Sequence, residues 1–170
     1  MSKKLLISAA AVLFLLSGCT DKAQVDAGDQ YVDAKAGGSV IEGGVISGDV
    51  SSLIQRLEGA SKSIYFDFDQ FDVKSSELDA VRSNSILFTG TDAAGLSVKI
   101  EGNCDEWGTD EYNYALGLKR AKAVKDALIA NGVPENRITI VSYGETNPAC
   151  TSSSKECWSK NRRVDFKLIP

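Results

Sequence analysis

The segment 96–131, LSVKIEGNCDEWGTDEYNYALGLKRAKAVKDALIAN, decides the fold. Its first five residues alternate, Leu96, Val98 and Ile100 on one side and Ser97 and Lys99 on the other, which is the period of two that a half-buried strand imposes. From Asp110 to Asn131 the period becomes helical. Thr109 stands as N-cap, with a hydroxyl to accept from an orphan N–H, and Gly132 stands where the helix must stop. Working outward, Ser63 to Phe68 alternates with Ile64, Phe66 and Phe68 on one face, and Ile138 to Tyr143 and Val164 to Ile169 supply two more strands. Between Asp72 and Asp92 the pattern is weaker: Ser75 or Ser76 is placed to cap a helix through Leu78, Val81 and Arg82, whose end Ser83, Asn84 and Ser85 blur. Strands alternating with helices indicate crossover units. The expected fold is therefore α+β, a mixed sheet with its helices over one face and the last strand antiparallel to a neighbour, spanning residues 52–170.

On a helical wheel of about 100° per residue, Asn113, Gly117, Arg120, Val124, Ala127 and Leu128 share one side, and Lys119, Lys122, Lys125 and Asp126 lie opposite. Arg120 is the odd member. A guanidinium in a buried stripe is costly unless paired, and Gly117 inside a helix costs about 1 kcal/mol relative to Ala. Two readings are open: a ligand carboxylate received by Arg120, with Gly117 keeping the approach clear, or an internal ion pair with Asp67, Asp69 or Asp105. The loop Glu101 to Thr109 joins the end of a strand to the start of the helix, the usual position for ligand binding in crossover folds. Asp105 and Arg120 there would present opposite charges to a ligand with an ammonium and a carboxylate on one carbon. Alternatively, Asp105 simply favours the positive end of the helix. Asp67, Asp69 and Asp72 do not make a calcium loop, since Phe71 stands where an oxygen ligand is needed and no turning glycine follows. Asp105 and Glu106 are adjacent carboxylates, but nothing fixes the gap that acid–base hydrolysis of a glycan requires.

Composition narrows the function classes. The chain of 170 residues contains no histidine, which removes Ser-His and Cys-His nucleophiles and His-ligated zinc. The net charge is -4, and loss of a leader carrying Lys3 and Lys4 takes it to -4 minus 2, or -6, the wrong sign for a nucleic-acid partner. Residues 1–18 read as a signal peptide, with two lysines and then an apolar run from Leu5 to Leu16 that is too short to span a bilayer. Leu16-Ser17-Gly18-Cys19 resembles the bacterial lipobox, which implies lipidation of Cys19 and a membrane anchor of at least two acyl chains. Thr20 in place of an aspartate implies, by resemblance to enterobacterial lipoproteins, the outer membrane. Residues 19–51 read as the lipidated N-terminus and a flexible linker, with a coil dimension of roughly 30 Å and a taut reach of roughly 100 Å, or alternatively as an irregular arm packed on the domain.

Several stretches carry a resemblance. Phe66 to Asp69, Glu101 to Thr109, Asn113 to Ala121, Ser142-Tyr143-Gly144 and Asn161-Arg162-Arg163 resemble the OmpA-like family, in its branch of peptidoglycan-associated lipoproteins. The likeness runs from about Ile64 to Pro170, and the pattern NxxLGxxRAxxVxxxL is matched at every fixed position from Asn113 to Leu128. It implies a βαβαββ-type sheet and, as ligand, the diaminopimelate of the wall peptide, with its ammonium on Asp105 and its carboxylate on Arg120. Contacts from Asp67, Phe68, Asp69, Asn113 and Arg162 are implied around the same pocket, with no cofactor and no catalysis. The family commonly has a histidine where this chain has Asn103, and a small residue where it has Cys104.

With Cys19 lipidated, Cys150 and Cys157 are expected to pair across a short loop, in a region where some OmpA-like domains carry a disulfide, leaving Cys104 as a free thiol. The resemblance further implies a tether between membrane and peptidoglycan in the Tol-Pal system, with periplasmic TolB as partner and a role in cell division. An interaction module with a vestigial pocket and a wall-degrading enzyme are the competing classes. Arg120→Ala and Asp105→Ala are expected to abolish wall binding and leave the domain folded.

Overall fold

The structure, a computed structural model, describes residues 46–170. The expected signal peptide, Cys19 and the linker as far as residue 45 lie outside the described residues. Eight elements follow in order: α1 (Ile46–Ala60), β1 (Ile64–Tyr65), α2 (Leu78–Thr89), β2 (Ser97–Asn103), α3 (Asp110–Ala130), β3 (Ile138–Gly144), α4 (Lys155–Asn161) and β4 (Arg163–Ile169). They build one four-stranded sheet in the order β1-β4-β2-β3. β2 and β3 are parallel and are joined across α3, whereas β4 lies antiparallel between β1 and β2. This is the α+β mixed sheet expected.

The period of two sorts the sheet into two faces. Val98 lies opposite Leu168, Ile100 opposite Phe166 and Gly102 opposite Val164, and the side chains of Val98, Ile100, Val164, Phe166 and Leu168 enter the core with Val81 and Phe88 of α2 and Ala121, Val124 and Leu128 of α3. The intervening residues carry charge and pair among themselves, Lys99 with Glu101 at 2.8 Å and Arg163 with Asp165 at 2.9 Å. Beyond Val164 the edge of β4 has no strand partner among the described residues. α1 covers that edge: Leu57 enters the core, while Glu58 accepts from the Leu168 N–H at 2.9 Å and meets Lys167 at 3.0 Å. The stretch 46–51, read from sequence as linker, is thus the first part of a helix.

α3 begins and ends as its sequence dictates. The Thr109 side chain accepts from the Tyr112 N–H at 3.2 Å, and Gly132 takes φ +96°, which a side chain would resist. Gly117 explains how close α3 lies to the sheet. A Cβ on Gly117 would stand 2.2 Å from the Ser142 hydroxyl, and one on Gly102 would stand 2.0 Å from the Gly117 carbonyl oxygen. Gly117 therefore admits the sheet rather than a ligand, which corrects the reading that it keeps a ligand's approach clear.

α2 starts through a 3-10 turn, Ser75–Glu77, without a side-chain cap from Ser75 or Ser76. Ser83, Asn84 and Ser85 lie inside it rather than at its end. Buried Asn84 bridges the backbone of Lys62, accepting from its N–H at 2.9 Å and donating to its carbonyl at 2.7 Å, so these polar residues are satisfied in place.

Candidate functional site

Three segments converge beyond the end of β2: the turn after β1, the loop from Cys104 to Thr109, and α3. Arg120 lies one helical turn past Gly117, so the close packing of α3 carries its side chain under both loops. It is wholly buried. Its Nε donates to the Gln70 carbonyl at 2.8 Å, Nη1 to the Asn103 carbonyl at 3.0 Å and Nη2 to the Asp67 carbonyl at 3.3 Å, with Nη1 also 3.4 Å from Cys104 Sγ. The guanidinium sits 5.2 Å from the Phe66 ring centroid. Burial lowers its pKa, while the negative field of Asp105 and Asp69 works the other way. Arg120 thus fixes the geometry of two loops through their carbonyls, and none of Asp67, Asp69 or Asp105 forms an ion pair with it. The internal-pair reading is corrected on that point.

Asp105, itself buried, is paired instead with Arg162, whose Nη1 lies 2.8 Å from Asp105 Oδ2 and whose Nε donates to the Phe66 carbonyl at 3.1 Å. Arg162 also acts on Arg120 through space, lowering its pKa. Asp105 is thus paired directly with one guanidinium, Arg162, and lies in the field of a second, Arg120. The Asp105–Arg162 pair forms a wall of a cavity of about 360 Å³ completed by Phe68, Trp107, Lys155 and Trp158. Behind it, buried Asn113 donates through Nδ2 to the Asp105 carbonyl and to Glu145 Oε2. The Cys104 thiol donates to the Asn113 carbonyl at 3.2 Å, and burial pushes its pKa up to about 11.

The OmpA family model matches residues 65–162. A relative named "Peptidoglycan-associated lipoprotein" from Pseudomonas putida is 36% identical over 159 residues, covering 93% of this chain and 92% of its own. The chain belongs to the OmpA family. The crystal structure of the peptidoglycan-associated lipoprotein from Burkholderia pseudomallei superposes with a TM-score of 0.60 at 36% identity, covering 64% of this chain and 91% of that one. The C-terminal domain of Helicobacter pylori MotB, at 23% identity and a TM-score of 0.57 over 64% of this chain and 84% of its own, shares the fold.

Within this OmpA-family domain the residues singled out by sequence divide into three groups. Asp105, Phe68 and Arg162 reach the cavity together. Arg120 and Asn113 lie behind it, wholly buried, so Arg120 and Asp105 do not face one another across an open gap as the sequence reading expected. Asp67 and Asp69 turn aside: Asp67 meets Lys74 at 3.1 Å, and Asp69, at φ +58°, accepts from the Tyr112 hydroxyl, a bond that raises the Tyr112 pKa.

Phe68 also departs from the expected strand. β1 ends at Tyr65, and Phe66 is buried while Phe68 is 61% exposed. Sequence reasoning missed Trp107, in the loop after β2, and Trp158 and Lys155, which reach the cavity from a helix, α4, that it read as loop. The pairing of Cys150 with Cys157 is present, with Cα atoms 5.3 Å apart, and it closes the segment leading into α4. Cys104 is free and buried. At the position where the family commonly has histidine, Asn103 donates to the Glu101 carbonyl at 3.0 Å and accepts from Asn147 at 3.1 Å.

Proposed function

We propose that this domain holds peptidoglycan non-covalently by the diaminopimelate of its stem peptide. The observation that carries the reading is the charge arrangement at the cavity, where Arg120 and Arg162 neighbour one buried carboxylate, Asp105. A zwitterion matches that arrangement by exchange. Its ammonium takes Asp105, its carboxylate takes the guanidinium of Arg162 that Asp105 releases, and the positive charge of Arg120 behind them adds to the pull. Arg120 is primarily a positioning residue here, a change from the direct clamp that the sequence implied. The relatives' printed name supports wall association.

The mode of action is binding without catalysis. Asp105 pairs with Arg162, and Glu106 accepts from the Trp158 indole N–H at 2.9 Å, so the two adjacent carboxylates hold cationic and N–H partners rather than facing one another across a glycan. With Cys19 lipidated, the domain faces the periplasm from the outer membrane and ties it to the wall as an element of the Tol-Pal system, with TolB as protein partner and a role in cell division.

Co-sedimentation with purified diaminopimelate-containing sacculi tests the reading. Wild-type chain pellets with the wall, Asp105→Asn stays in the supernatant, and no muropeptides are released. Equal pelleting of Asp105→Asn would overturn the clamp, and released muropeptides would point to an enzyme.

A further inference from the structure

We propose that Trp107 and Trp158 form a sugar-binding rim, on which a pyranose ring of the glycan strand stacks while its stem peptide is held at Asp105. The inference rests on the wall reading above and extends it from the peptide to the glycan. The chain has two tryptophans, and both border this cavity. Their rings meet edge to face, with centroids 5.3 Å apart at 79°. Trp158 is fixed by its bond to Glu106, and through that contact it steadies Trp107. Trp107 nevertheless remains 52% exposed, and Phe68, on the same cavity, 61%. Two large rings facing water from a braced position need a purpose beyond core packing, because a steadied indole offers contact area at little cost in conformational entropy.

The chemistry of the rim fits a pyranose. A sugar with equatorial substituents presents C–H groups on its faces and hydroxyls around its edge, so it covers an aromatic ring while its polar groups stay in water. An aliphatic side chain of a protein partner would leave no such wet edge. Reach also fits. Two residues of the stem peptide separate diaminopimelate from the muramic acid, roughly 10 Å of extended chain, and Trp107 is two residues from Asp105, no more than roughly 7 Å between Cα atoms.

The test uses the full-length chain, as wild type, Trp107→Ala and Trp107→Phe. Each is titrated with a diaminopimelate stem peptide, with the same peptide carried on the N-acetylglucosamine–N-acetylmuramic acid disaccharide, and with the disaccharide alone. Calorimetry reads affinity, and tryptophan fluorescence, excited selectively, reports on this cavity because both tryptophans lie on it. Wild-type chain is expected to bind the disaccharide-peptide about fivefold more tightly than the peptide. Trp107→Ala is expected to lose that increment, its affinity for the disaccharide-peptide falling more than its affinity for the peptide, and Trp107→Phe to keep most of it.

Equal affinities of wild type for the two ligands would overturn the rim and leave the wall reading standing, as would an equal loss for both in Trp107→Ala. Wild-type chain that bound the disaccharide and not the peptide would keep the rim and overturn the clamp. A sugar increment that survived in Trp107→Ala while TolB binding weakened would assign the rim to protein contact instead.

Discussion

Adding one methyl group at Gly117 should loosen the whole domain. The new Cβ would lie 2.2 Å from Ser142 Oγ, 3.2 Å from Ser142 Cβ and 3.1 Å from the Gly102 carbonyl oxygen. Ser142 can relieve the first contact only by turning its hydroxyl, which accepts from the Gly144 N–H at 3.1 Å, so relief costs a hydrogen bond of about 1 kcal/mol. The remaining contacts are the overpacking kind, worth about 1–3 kcal/mol, against a helix-propensity gain of about 1 kcal/mol for alanine. The expected net is a loss of about 2 kcal/mol, or a fall in Tm of about 8 °C for a domain of this size.

Thermal and urea unfolding of Gly117→Ala measure this directly. The double variant Gly117→Ala with Ser142→Ala removes Oγ and should recover at least half of the loss. Gly102→Ala meets the backbone of Gly117 at 2.0 Å, which cannot turn aside, and should cost more than Gly117→Ala. A Gly117→Ala variant as stable as wild type, or a Gly102→Ala variant milder than it, would refute the close-packing argument. The contact matters for function because it sets the depth at which Arg120 reaches the two loops.

Three further outcomes are expected. Arg120→Met should lose about 3–5 kcal/mol in urea unfolding, because the carbonyls of Asp67, Gln70 and Asn103 lose their shared donor, and Arg120→Lys should not restore it, lacking the fork. This replaces the expectation that Arg120→Ala leaves the fold intact. Cys104, with a folded pKa of about 11, should resist alkylation at pH 8 in the native chain and react on unfolding. Because burial raises that pKa from about 9, its contribution to stability is complete below pH 9 and disappears as the pH rises through 11, which pH-dependent denaturation would detect. Reducing Cys150–Cys157, whose partners are seven residues apart, should lower stability by about 2.5 kcal/mol on the chain-entropy model, read as a shift in the urea midpoint.

The parts of the fold that were legible in the sequence are those whose period is long enough to register. α3, with its Thr109 cap and Gly132 stop, was readable to within a residue, the positions of β3 and β4 likewise, and the alternation of β2 from Leu96 to Ile100, though that strand continues to Asn103. α4 was not, because seven residues behind a run of serines show no period, and it stands on the Ser154 cap and the disulfide. α1 has its apolar stripe at Leu53, Ile54 and Leu57, but the glycines before it made its first residues, 46–51, resemble linker, and no helix was assigned to the residues after them.

The site was legible only in part. Arg120 announced itself as a charge in an apolar stripe, yet its partners are backbone carbonyls, which no residue pattern records. The Asp105–Arg162 pair joins residues 57 apart, and only the resemblance pointed to Arg162. Trp107 and Trp158 come together across a similar separation, and nothing local links them.

Charge matching at Asp105 and Arg162 is most directly tested by titrating the full-length chain with three forms of one diaminopimelate stem peptide: unmodified, acetylated on the free ammonium, and amidated on the carboxylate beside it. The unmodified peptide should bind, and each modification should weaken binding at least tenfold, with Asp105→Asn insensitive to acetylation because its charge is already gone. Equal binding of all three forms would contradict recognition of a zwitterion by these groups.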